Sequence, residues 1–494
     1  MIGSKYFEIS GLDLVARGMS SGAYMNDGAF SPETGAVNLL AQPGVIYAPT
    51  AIVDSDTDTR LSSQGEIIAS APDHAASSGN ERLLVAAHKT SQDGTFYRYD
   101  GTKIIAAAYA TDSTNNYQKG VTDIINYRGD SYVTTKERIK KWASTGTITD
   151  LSGGDFADTA VPHPALVYQN NAYYGDGDEL LVQTTAGGDP VVILTLAAGE
   201  IILALGIDEG TGKMLISTTT ATFDISQIRT AINKVLWYDG SSPQVARESV
   251  VEDRVTAFHN HEGITFVGYG RNLGYLTGSG VKFLRRLNNV TNVFDQLPYK
   301  HSFASIGRTM FVIDGSQILA YGSVVGGSPI FYYAFKNSVN SNIFNSIFNA
   351  GGTISTANNK LGMSFEADKF YTLDITSKAS ITSLDLYSNW YTFAYPVYIR
   401  SMYIQLAEAD NTANWTFSYF DQSSASAIAT LERMEGNVTP VLEADYFVNF
   451  ADSGNSAGNT GEGHQAVRSF KLRAQNSTTN KGIRKIIVYY DPAE

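Results

Sequence analysis

The chain of 494 residues contains no cysteine, so disulfides and thiolate metal sites are excluded outright. Charged residues make up only 17%, and the basic ones are outnumbered, 36 to 49, for a net charge of −13. That balance argues against a nucleic-acid-binding surface, which needs a basic face. It fits a soluble protein, or a surface past which nucleic acid slides without sticking. No apolar run approaches the ~18 residues of a membrane span. The longest candidate, 191–207, is interrupted by Ala-Ala-Gly-Glu at 197–200 and reads as two strands joined by a turn. The first residues, Met1 to Glu8, show no apolar stretch of the signal-peptide kind.

What is abundant points one way. Tyr (29), Phe (23) and Gly (45) suit half-buried pleated surfaces and many turns. The composition reads as all-β, and the length calls for two or more domains.

A loose repeat organises the middle of the chain. Compact apolar runs begin at Leu83, Tyr132, Ala172, Met214, Ile264, Met310 and Leu361. Each is followed by a polar or Gly-bearing turn and a second run: Phe96–Tyr99, Arg138-Ile139, Leu180–Val182, Thr222–Ile225, Gly274–Leu276, Ile318–Tyr321 and Phe370–Leu373. The steps are 49, 40, 42, 50, 46 and 51 residues, the length of one four-stranded propeller blade. The expected fold is therefore a β-propeller of six or seven blades over 81–385, one of them open to closure by a strand from the N-terminal arm. Asp100-Gly101, Asp239-Gly240 and Asp314-Gly315 are expected as tight hairpin turns. Residues 1–80, rich in Gly, Ser, Ala and Asp, read as an arm that packs on a larger body partly as strands, with Pro43-Gly44 as a turn. From 386 to 494 longer alternating strands (Val397–Leu406, Trp415–Phe420, Val467–Arg473, Arg484–Tyr490) predict a β-sandwich. The stretches 335–360 and 449–463 read as long exposed loops that order in an assembly. Within the first, Ile343, Phe344, Ile347 and Phe348 have helical spacing and suggest a short helix.

Chemistry-bearing motifs are sparse. Asp54-Ser55-Asp56-Thr57-Asp58 opens like a calcium loop, but Thr59 and Gly65 stand where Gly and a bidentate Glu are needed. It reads as an acidic turn. His259-Asn260-His261-Glu262 places two imidazoles on one face if extended, the start of a metal site. The other histidines (His74, His88, His163, His301, His464) are scattered, and a polar hairpin turn is the reading for this segment. Ser91-Gln92-Asp93-Gly94-Thr95-Phe96 resembles the Asp-box of sialidase propellers, but Gly follows Asp directly and the motif does not recur. Glu252-Asp253 and Asp178-Glu179 are sequence neighbours that point to opposite faces of a strand. No nucleophile elbow, phosphate loop or zinc-protease motif is present. The residues assign no catalytic, cofactor-binding or metal site, and no enzyme activity is expected.

Val37-Asn38-Leu39-Leu40 followed by Pro43-Gly44-Val45, the blade-length repeat, and the closing pair Ser469–Arg473 and Gly482–Val488 together resemble the tail nozzle (tail hub) proteins of short-tailed bacteriophages. The resemblance spans most of the chain. It implies a propeller with a C-terminal platform sandwich and a structural virion protein, assembled in the host cytoplasm and located in the virion tail. Copies would form a ring, as a hexamer, below the portal–adaptor complex. The ring would carry DNA outward without sequence-specific binding and mount fibres or spikes. A host-receptor or carbohydrate-binding propeller protein of a virion is the alternative, with aromatic side chains as the binding surface.

Overall fold

In a computed structural model the described residues are 122–287, except 143–146 and 221–230, and 298–375, except 324–328, 337–343, 351–359 and 366–368. Outside these stretches they are 5–10, 30–31, 40–42, 45–47, 53–54, 66–73, 82–88, 94–99, 110–112, 384–388, 391–406, 415–420, 429–432, 445–449, 467–476 and 483–492, together with residues 104, 421, 466 and 493. The protein is all-β. One short 3-10 turn, Lys300–Ser302, is the only helical element named among the described residues.

Seven four-stranded antiparallel sheets follow one another along the chain. Their first strands are Glu66–Asp73, Ile124–Tyr127, Ala165–Tyr168, Ile201–Ile207, Val255–His261, Phe303–Ile306 and Ser346–Asn349. Each first strand touches the next, and the last touches the first, so the sheets close a ring in the manner of a β-propeller. The apolar runs of the repeat are the second strands, Arg82–His88, Asp130–Thr134, Asn171–Asp176, Met214–Thr219, Ile264–Tyr269, Thr309–Asp314 and Lys360–Ser364. Six of the seven expected partner runs fall on third strands; the other, at 222–225, lies outside the described residues. The seventh sheet takes its fourth strand from far upstream: Val53–Asp54 pairs with Thr372 and Tyr371. Asp54 is thus a strand residue; the rest of the acidic run, 55–58, lies outside the described residues.

The second strands read as unbroken apolar runs because both faces of each sheet are buried. In the first sheet Leu83, Val85 and Ala87 pack with Tyr97 and Tyr99 against Phe348 and Phe370 of the seventh. The alternate residues Leu84 and Ala86 pack with Phe96 against Ile124, Val133 and Trp142 of the second. The same division recurs between the second and third sheets (Tyr127, Tyr132 and Ile139 against Ala172 and Tyr174) and between the third and fourth (Tyr173 and Leu180 against Met214, Ile216 and Leu236). Buried tyrosines fill much of this space, which accounts for their abundance. Close approach needs glycine at Gly206, where a Cβ would stand 2.5 Å from Phe258 Cβ.

The first strand of the ring begins at Glu66, inside the stretch expected as an arm. Ile67, Ile68, Ala69 and Ala71 are buried there, but the run is short and interspersed with Ser and Pro. The helical spacing at 343–348 is corrected as well. Ser346–Asn349 is a strand, and Phe344, Ile347 and Phe348 are buried in the ring itself; Ile343 lies outside the described residues. A four-residue strand buried on both faces imitates an i, i+4 pattern. Asp314-Gly315 sits at a strand-to-strand turn with Gly315 at φ 70. Asp239-Gly240 instead opens a longer loop, where Asp239 Oδ1 accepts hydrogen bonds from the Ser241 and Ser242 amides. Asp100-Gly101 lies outside the described residues.

By contact density the chain forms two compact units, Ile52–Ser316 with Asn342–Leu373, and Met1–Ala51 with Gln317–Ser341 and Asp374–Glu494. The outer strands of the sixth sheet, Gln317–Ser323 and Pro329–Lys336, group with the latter. That unit is otherwise an eleven-stranded antiparallel sheet, whose central order is Phe30–Ser31, Leu384–Ser388, Val467–Asn476, Tyr391–Leu406, Ile483–Pro492, Val45–Tyr47, Leu40–Gln42. The sixteen-residue strand Tyr391–Leu406 pairs with Val467–Asn476 at one end and with Ile483–Pro492 at the other. The register breaks between Thr392 and Val397, around Pro396, where a proline without an N–H is tolerated. Beyond the break Val397, Ile399, Met402 and Ile404 are buried with Phe470, Leu472, Ile486 and Val488. Lys5–Ser10 pairs along Lys485–Tyr490, and Gln42 faces Val45 across the Pro43-Gly44 turn, whose own residues lie outside those described. The expected loop at 449–463 lies outside them from residue 450 on.

Ile216 is fully buried between the third and fourth sheets. Ile216→Ala is expected to cost about 2–5 kcal/mol, read as a lower urea midpoint. Val250→Ser, at a side chain 70% exposed, is expected to stay within about 0.5 kcal/mol of the parent.

Candidate functional site

The centre of the ring is polar. Asp123 immediately precedes the first strand of the second sheet, and its carboxylate gathers groups from several directions. It accepts hydrogen bonds from the Ile124 amide (2.8 Å) and from the Ala165 amide at the start of the third sheet (3.2 Å). Lys300 Nζ lies 2.8 and 2.9 Å from its two oxygens, and His301 Nε2 lies 3.7 Å from Oδ1. The Asp123 amide in turn donates to Thr134 Oγ1 at 2.9 Å.

Lys300 and His301 stand on the 3-10 turn before the sixth sheet. The turn is closed by Ser302 N donating to the Tyr299 carbonyl and Tyr299 N donating to Ser302 Oγ. The Tyr299 hydroxyl reaches the carbonyls of Asn345 (2.9 Å) and Ile68 (3.3 Å), and Ser346 Oγ donates to the Ile67 carbonyl (2.8 Å). The turn is therefore anchored to the first strands of the first and seventh sheets, and it carries Lys300 to the carboxylate at the head of the second.

Burial alone would raise the Asp123 pKa. Lys300 and His301 outweigh it and hold the group at about 2, against an ordinary 3.8. Burial pushes the His301 imidazole below its usual range against the pull of Asp123. Beside this cluster lies a cavity of about 40 Å³, lined by Thr122, Asp123, Leu203, Leu205, Phe258 and His301 among others. It has room for a few waters, far below the ~300–1,000 Å³ of organic-ligand pockets. The cluster as a whole can hold charge and water and fasten sheets together.

The histidine pair noted in the sequence takes a different place from the one expected. His259, Asn260 and His261 end the first strand of the fifth sheet, and the turn is Glu262-Gly263, with φ 46 and 79. Both imidazoles reach one hydroxyl: His259 Nε2 is 2.7 Å and His261 Nδ1 is 3.0 Å from Ser305 Oγ. Burial, then the neighbouring His261, depresses the His259 pKa to about 4; burial also lowers that of His261.

The remaining sequence candidates stay apart. His163 is stacked on Phe156 at 3.7 Å, with Nδ1 3.0 Å from the Gly175 carbonyl. Asp253 caps its own chain by accepting from the Arg254 amide, and Glu252 beside it is exposed. Asp178 and Glu179 sit at a hairpin turn of the third sheet. Gly94 begins a strand, while the rest of the Asp-box-like loop, 91–93, lies outside the described residues, as do His74 and His464. Among the described residues no group of three or more His, Asp or Glu side chains is placed to hold a metal ion, and no helix is long and apolar enough to cross a membrane. The Asp123–Lys300 centre was not read from the sequence, because its members are 177 positions apart. The one local signal was Tyr299-Lys300-His301, a polar insert between Pro298 and Phe303.

No family model and no curated protein matches the chain. Among solved structures it is similar to the extracellular domain of a putative hybrid two-component system from B. thetaiotaomicron, with a TM-score of 0.45 and 11% identity over 77% of this chain; it spans 44% of that chain's length. It is also similar to a chain of a mitotic checkpoint complex, with a TM-score of 0.40 and 9% identity over 72% of this chain and 98% of the other. At these scores neither likeness bears on function.

The electrostatics of Asp123 have a definite sign. Its folded pKa lies below the ordinary value, so its contribution is complete above about pH 4 and is lost as pH falls through about 2. The contribution is about 2 kcal/mol. Asp123→Asn is expected to remove that part of the acid arm in urea melts between pH 4 and pH 2. The part between pH 6.5 and 4, where His259 charges on unfolding, is expected to remain.

Proposed function

We propose that this chain is a structural subunit of the tail nozzle of a short-tailed bacteriophage. Copies associate as a ring, six to a turn, below the portal–adaptor assembly. The ring gives DNA an exit channel and gives fibres or spikes a mount. The observation that carries the reading is a β-propeller with an ion-paired centre, in one chain with a second, all-β unit. A propeller fastened at its axis is a rigid block, and its outer surface is then the part available to partners. DNA passes through the lumen enclosed by several copies, not through the propeller. A net charge of −13 suits such a lumen, since acidic walls do not trap phosphates.

Exposed apolar side chains offer a docking surface on either reading, nozzle or receptor-binding. Val191 and Val192, Val250 and Phe283 are exposed on the fourth strands of three consecutive sheets. Apolar side chains on unpaired outer strands suit docking of another protein. On the nozzle reading they meet a fibre or spike; on the other they meet the host surface.

The assembled mass decides between the two, measured by mass photometry on purified protein alone and with a portal–adaptor complex. A ring of about six copies, or a monomer that assembles only on the connector, is the expected result. A stable monomer that ignores the connector and binds host surface glycans overturns the nozzle reading and supports the receptor-binding one.

A further inference from the structure

The His259–His261 pair has a geometry that a turn does not require. The two rings stand at i and i+2 of one strand, on the same face. They use different nitrogens, Nε2 of His259 and Nδ1 of His261, and both point at one place, occupied by Ser305 Oγ of the neighbouring sheet. A hydroxyl has a single proton, so it donates to one ring at most, and the other ring must donate to it. An ion at the same place would take a lone pair from each.

The spacing fits such an ion. Ligand atoms around a tetrahedral metal with bonds of 2.0–2.1 Å stand roughly 3.3 Å apart. The two nitrogens stand 2.7 and 3.0 Å from the oxygen. These two spacings would open by about 0.6 and 0.3 Å to seat an ion beside the oxygen. The rings are also held from behind. Phe303 stacks on His259 at 5.5 Å and 17°. The Arg308 backbone lies beside His261. Glu262, next in the chain, adds negative charge beside His261, although it is also paired with Arg308 at 2.9 Å.

We propose that His259, His261 and Ser305 form a binding site for one divalent transition-metal ion of the imidazole-preferring class, Cu²⁺ or Zn²⁺. The ion is bound through His259 Nε2 and His261 Nδ1, with the Ser305 oxygen and water completing the coordination. Both imidazoles bind as neutral ligands, so the ring that donates to Ser305 Oγ only moves that proton to its other nitrogen, and no oxidant or further reactant is needed. Two imidazoles without carboxylate or thiolate favour copper over zinc. Because the ligands come from the fifth and sixth sheets, the ion would fasten neighbouring sheets. This site is independent of the nozzle reading.

The test is titration of the full chain with Cu²⁺, followed by EPR and pulsed EPR, which counts coordinated imidazoles without any substitution. One tight Cu²⁺ per chain with two imidazoles is expected, with a thermal midpoint that rises with copper concentration. His259→Asn or His261→Asn turns a chelate into a single ligand and is expected to weaken binding by about 10²-fold or more. Zero or one imidazole on the tightest copper of the parent protein overturns the proposal. So does a signal unchanged in a folded His259→Asn/His261→Asn double variant. If that variant fails to fold, the imidazole count on the parent protein decides alone.

Discussion

The first four sheets of the ring are covered on both faces, and the rest of the structure depends on that. A sheet with one wet face can be lost at the cost of one interface. A sheet held between two neighbours cannot move without uncovering two. The alternation Leu83, Val85, Ala87 toward one neighbour and Leu84, Ala86 toward the other is the smallest statement of this constraint. Buried tyrosine suits this place: a ring spans the gap between sheets, and the hydroxyls of Tyr173 and Tyr174 reach the Gly240 carbonyl (3.1 Å) and Gln183 Oε1 (2.8 Å).

Where the first strands converge, that logic gives way to polar fastening. Asp123, Lys300 and Tyr299 span the middle with hydrogen bonds to backbone and to one another. A buried carboxylate is costly unless its oxygens are satisfied. Here two amides and an ammonium group satisfy them. The short turn that carries Lys300 and His301 is thus as much a part of the ring as the strands are.

Double-sided burial also decided what the sequence made legible. The second strands stood out because both faces are apolar, and their spacing set the blade length. First strands were harder to see: Ser346–Asn349 and Phe303–Ile306 are four residues long and include serines that hydrogen-bond across sheets. The run at Ile67 is hidden in the same way, inside a stretch rich in Gly, Ser, Ala and Asp. In the other unit the strands have one buried and one open face, and their alternation was visible directly, as in Val397, Ile399, Met402 and Ile404. The central cluster escaped notice because its charges meet only through the fold. The histidine pair was visible, but not the serine that makes the two rings converge.

The strand Val53–Asp54 imposes an order in time. It is made before any of the seven sheets, yet its partners Tyr371 and Thr372 belong to the last strand of the ring to be made. At ~5–20 residues per second, translation of the intervening chain takes roughly tens of seconds. Through that interval the growing propeller is an open arc whose closing strand waits unpaired at the other end. Release of the seventh sheet from the ribosome, and not the folding of the early sheets, is then the event that turns the arc into a ring.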